Sequence, residues 1–101
     1  MSENNGSPRF ALGQIVATPG ALEVIEASGE SPKHFLSRHL RLEQGELCAE
    51  DHELNAEALK DGSRILSSFK TSTGDRIWVI TEAADEAGLR AATTLLLPSE
   101  Y

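Results

Sequence analysis

Little in this sequence would cross-link the chain or hold it in a membrane. A single cysteine, Cys48, in 101 residues excludes an internal disulfide framework. No apolar run approaches the ~20 residues that a membrane helix requires. The start of the chain lacks the basic segment and apolar stretch of a secretory signal, so the cytoplasm is the expected location. The sequence also has no Gly-x-Gly-x-x-Gly fingerprint, no phosphate-binding loop and no nucleophile elbow around Ser67 or Ser68. His34, His39, Cys48 and His52 do not follow a usual zinc spacing. Five helical residues separate the directions of His34 and His39 by roughly 140°, so the two rings are not expected to converge. Neither metal nor cofactor is expected, and the chain reads as a non-enzyme. Cys48, between Glu46 and Glu50, reads as a small core residue, because negative neighbours suppress the thiolate.

Positive charge is scarce as well. Nine Lys and Arg stand against 16 Asp and Glu, for a net charge of −7. Residues 43–61 hold seven acids (Glu43, Glu46, Glu50, Asp51, Glu53, Glu57, Asp61) against one base, Lys60. Just before them, residues 33–41 carry Lys33, His34, Arg38, His39 and Arg41 with no acid. Phosphates are repelled by a net negative surface, so direct nucleic-acid binding is not expected and a basic protein partner is.

What is present fits one α+β domain. Residues 1–8 are polar and aperiodic and read as a disordered tail, leaving 9–101 as the domain. Residues 10–17 (FALGQIVA) read as a strand. Thr18-Pro19 and Ser31-Pro32 each read as a helix N-cap followed by proline at the first helical position. Gly29 stops the first helix, and the second is expected to run to about Leu42 with Phe35, Leu36, His39 and Leu40 on one face. A third helix is expected over 49–61. The period then changes to two: strands at 64–70 and 76–82, a turn at 71–75 with Gly74, and a last strand at 89–97 ended by Pro98. The expected architecture is two or three short helices packed on a three-stranded or four-stranded antiparallel β-meander. The 89–97 strand is read as an exposed edge, through which a homodimer could form. Trp78 and Phe69 are expected in the core.

Six residues stand out as binding candidates. His34, Arg38 and Arg41 share a helix face at spacings of four and three, suited to gripping a carboxylate or phosphate. The bland alternative is that this face pairs with the acidic third helix. Glu50, Glu53 and Glu57 are the acids through which a basic partner, or a protein that binds DNA and is deceived by a mimic, would be engaged. A third reading is a small enzyme or ligand-binding domain using the His34, Arg38 and His39 region. Set against a metal site, the plain expectation for the histidines is a His39 at the buried edge beside Phe35 and an exposed His34.

LGQIVATPGALE (12–23), SPKHFLSRH (31–39), WVITEA (78–83) and TTLLLPSEY (93–101), in that order, resemble a family of small bacterial proteins associated with plasmids and mobile elements. Members are often labelled "plasmid-related protein" or "type I restriction endonuclease subunit M". Where members carry Gly-Asp-Trp-Gly after the Arg-His pair, this chain has Leu42-Glu43-Gln44-Gly45-Glu46. The resemblance implies an accessory protein that binds another protein, with no catalytic residues to transfer.

Overall fold

The two Ser/Thr-Pro pairs begin helices as their chemistry requires. The computed structural model describes residues 10–41 and 49–101. The expected tail, Cys48 and the side chains of Glu50 and His52 lie outside what is described. In helix α1 (Pro19–Ser28) the Thr18 hydroxyl accepts from the Ala21 N–H at 3.1 Å. In α2 (Pro32–Leu40) the Ser31 hydroxyl accepts from the His34 N–H at 3.4 Å. Each cap satisfies a donor that the first helical turn leaves open. Gly29, with φ +80°, ends α1. The corner after it is pinned from outside. Glu30 accepts from the Ser72 N–H at 2.9 Å, and the Ser72 hydroxyl donates to the Ser28 carbonyl at 2.9 Å. Helix α3 covers Ala49–Asp61.

The strands are β1 (Gln14–Ala17), β2 (Ile65–Lys70), β3 (Arg76–Thr81) and β4 (Ala92–Leu96), in the spatial order β1-β4-β3-β2. The α+β class stands, but the sheet is not a pure antiparallel meander. β2 with β3 and β3 with β4 are antiparallel, whereas β1 lies parallel to β4. The reason is the helical stretch between β1 and β2. It carries the chain from one edge of the sheet to the other, and a crossover of that length permits the parallel orientation that a short turn forbids. β4 therefore has a neighbour on both sides and is not the free edge that residues 89–97 suggested. Among the described residues, β1 is.

Both end strands are also shorter than the apolar runs imply. Phe10 and Leu12 precede β1, because Gly13 turns the backbone at φ +67° and passes so close to β4 that a Cβ there would lie 2.3 Å from the Arg90 carbonyl oxygen. Residues 85–90 form a turn closed by Asp85 N–H to Leu89 C=O, so β4 starts only at Ala92, and Leu89 is exposed.

Strand register divides the sheet into two faces. Ile65, Ser67, Phe69, Ile77, Val79, Thr81, Thr93 and Leu95 share one. Against it pack Ala21 and Ile25 of α1 and Phe35 and Leu36 of α2, forming the main apolar core. Arg38 spans part of the same layer, with its guanidinium 4.7 Å from the Phe69 ring centroid. Phe69 is thus a core residue as expected, but Trp78 is not. It lies half-buried on the opposite face, where Tyr101 meets it edge-on at 5.6 Å between ring centroids. The Tyr101 hydroxyl accepts from Arg64 at 2.7 Å, and the Glu100 carboxylate accepts from the Thr18 hydroxyl and from the Leu97 N–H.

Helix α3 runs beside β2, and one side chain seals that edge. Asn55, buried in α3, accepts from the Leu66 N–H at 3.1 Å and donates to the Leu66 carbonyl at 2.6 Å. The amide thus stands in for the next strand. Arg90 locks the neighbouring end, donating to the carbonyls of Ala58, Ser63 and Glu82. Replacing Asn55 by Ala leaves both Leu66 groups unmatched. The expected loss is about 2–3 kcal/mol in unfolding free energy, read by urea denaturation with the slope unchanged; a loss under about 0.5 kcal/mol would mean that water replaces the amide.

Candidate functional site

The predicted basic trio is brought together. His34, Arg38 and Arg41 line one open depression of about 390 Å³ with Ser31, Lys33 and Ser37. His34 is exposed, lies 3.8 Å from Glu30, and meets the edge of Phe35. Glu53 and Glu57 are exposed on α3. His39 does not join the trio. It is fully buried on the inner side of α2, and the ring packed against it is Phe10, edge-on at 5.2 Å, while Phe35 is met by His34. His39 therefore does not share the depression with His34 and Arg38: as the five-residue spacing implies, the two histidines face opposite environments.

His39 heads a chain of buried hydroxyls. Its Nδ1 lies 2.6 Å from the Ser67 hydroxyl and its Nε2 lies 2.8 Å from that of Thr81. Thr81 lies 2.7 Å from Thr93, and Thr93 donates to the Leu12 carbonyl at 2.8 Å. The last link fixes every other. Thr93 has one proton and gives it to Leu12, so Thr81 must donate to Thr93. Thr81 then accepts from His39, which places the imidazole proton on Nε2. The bare Nδ1 accepts from Ser67. One neutral tautomer satisfies every group, and burial pushes the His39 pKa down from 6.5 to about 4. Ser67 and His39 have the polarity of a nucleophile and its base. Both are fully buried, however, and the position an orienting carboxylate would take is held by a threonine. The arrangement is chemically a brace. Its partners lie 28 and 42 positions away in sequence, and two β-strand hydroxyls facing inward were the only signal for them. Among the described residues, no three His, Cys, Asp or Glu side chains are placed to hold a metal, and no helix is long and apolar enough to cross a membrane.

A second concavity was not legible in the sequence. It has a volume of about 560 Å³ and lies along α1 and the corner leading into α2. Its wall includes Pro19 and Leu22 from α1 and Pro32 from α2, with buried Ile25 at its base. Leu22 is 47% exposed. Glu23, Glu26 and Glu30 complete the lining, and no basic side chain does. The Glu30 carboxyl is held below the ordinary carboxylate range, chiefly by the Ser72 N–H, with Ser28, His34 and Arg38 adding to the effect. It therefore stays charged into acid solution. Ser31 lines both this groove and the basic depression, so surfaces of opposite sign meet at the corner.

The depressed pKa of His39 has a definite consequence. The unfolded chain takes up the proton first as pH falls, so the stability due to the neutral ring is whole above about pH 6.5 and is lost progressively down to about pH 4. The loss amounts to about 3 kcal/mol. His39→Gln is expected to be less stable at pH 7 and to show a flatter decline between those pH values, measured as urea midpoints across a pH series. A decline as steep as in the parent would assign it to the carboxylates instead. Comparisons with protein-family models, with curated proteins and with solved structures find no match to this chain.

Proposed function

We propose that this chain is a non-enzymatic accessory protein that binds another protein, seating a basic segment of that partner in the groove along α1 and the α1–α2 corner. The observation that carries this reading is the combination at one place of an exposed leucine over a buried isoleucine and three carboxylates. Apolar surface gives such a groove affinity by leaving water, and the acids select a cationic neighbour and speed its approach. The groove is held open by capping and corner contacts. Thr18 and Ser31 cap the two helices, and Ser72, outside the groove, fixes the corner. A preformed surface loses little conformational freedom on binding. The rest of the molecule agrees with a cationic partner, since the net charge is −7. An accessory role on a mobile element is the setting suggested by the resemblance noted above.

The test uses synthetic peptides that place one Leu among Lys and Arg, titrated into isotope-labelled protein and followed by NMR. Shifts are expected at Leu22, Ile25, Glu26 and Ser31, with affinity falling as salt rises. Leu22→Ser should weaken binding by about tenfold, and Glu23→Lys combined with Glu26→Lys should weaken it comparably and flatten the salt dependence. Equal binding of an acidic peptide, or shifts confined to other faces, would remove the reading.

A further inference from the structure

The two edges of the sheet are treated differently. The β2 edge is occupied by Asn55 from α3. The β1 edge has no neighbour among the described residues. Gln14 and Thr18 direct their N–H groups inward, to the carbonyls of Ala91 and Leu95 at 3.0 Å each. Alternation along a parallel ladder then turns the main-chain groups of Ile15 and Ala17 outward. Free edges are commonly blunted by Lys, Pro or an inward charge. β1 has none of these. It reads Gln-Ile-Val-Ala, and Ile15 and Val16 are 52% and 43% exposed.

We propose that β1 pairs antiparallel with β1 of a second copy of this chain, joining the two sheets into one of eight strands. The pattern of outward groups selects a register. Ile15 and Ala17 each face the partner, so Ile15 of one copy pairs with Ala17 of the other, twice over, giving four main-chain hydrogen bonds about a two-fold axis. Val16 then lies opposite the partner's Val16 as the close, non-hydrogen-bonded pair. The side chains complement one another in the same register. On the helix-covered face, exposed Ile15 comes beside small Ala17. On the other face, two valines meet at the axis. The placement of charge is compatible with pairing at this edge. The acid-rich α3 flanks β2, at the opposite side of the sheet, so the most negative parts of two such molecules are kept apart. A four-residue edge is small for an interface, so the association is expected to be weak and concentration-dependent. Each dimer would carry two α1 grooves, but the pairing does not depend on what they bind.

Sedimentation velocity over ~10 µM to ~1 mM protein tests this directly. The expected result is a shift from monomer to dimer within that range. Val16→Lys and Val16→Glu place like charges on the two-fold axis, and each variant alone should remain monomeric with its circular dichroism and melting temperature unchanged in dilute solution. Mixed together, the two variants should restore dimers, because Lys then faces Glu. Hydrogen exchange supplies the independent check: the Ile15 and Ala17 amides should become protected as concentration rises, while Val16 is protected throughout. A monomer at every concentration, a dimer indifferent to both substitutions, or failure of the mixture to restore pairing would overturn the proposal.

Discussion

The structure hangs on one neutral imidazole. His39 leaves the end of α2, bonds to Ser67 in β2 and Thr81 in β3, and through Thr93 in β4 reaches the Leu12 carbonyl just ahead of β1. A single line of hydrogen bonds thereby joins the second helix to three strands and to the segment that leads into β1. A slip of α2 by one residue would break two bonds and bury unmatched hydroxyls, and unmatched buried polar groups cost more than lost apolar contact of similar size. Phe35, Leu36, Phe69 and Ile77 pack together in the apolar core beside it. The imidazole supplies the register in which that packing occurs.

From that register the surface features follow. With α2 fixed over β2 and β3, the α1–α2 corner falls against the β2–β3 turn, where Ser72 holds Glu30 and Ser28. The same corner divides an acidic groove from a basic depression, so two helices with very different charge make one bipolar ridge. At the sheet's ends, Asn55 substitutes for a strand on one side while the other side is left to whatever can supply one.

Much of the architecture is local chemistry and was legible as such. Thr18-Pro19, Ser31-Pro32, Gly29 and the turn at Gly74 act within four residues, and the alternation in β3 has a core on one side of it. The spacing of His34, Arg38 and Arg41 placed them in one depression for the same reason. What could not be read depends on residues far apart. The parallel partner of β1 is set by where three helices deliver the chain, and four residues of sequence do not encode that. Arg90 sits in an unremarkable loop, yet its guanidinium meets three carbonyls from three segments. The groove draws its lining from two elements, and its shape depends on a corner angle that a third element fixes. Phe10 misled, because an apolar residue before a strand looks like more strand until Gly13 is seen to turn the chain away.

The bond from Thr93 to Leu12 spans 81 positions, and that distance has a kinetic meaning. β2 and β3 form a hairpin that can close early, since its turn is short and its contacts are local. β1 has no such opportunity. Among the described residues its only partner strand is β4, so this pairing of residues 14–17 must wait until residues 92–96 have been synthesised. Loop closure over that span is slow relative to the hairpin. During the interval the segment most exposed to a stray strand is the same one left open in the finished fold. The contact that completes the sheet is therefore also the one with the largest closure to make, and β1 is expected to join the sheet last.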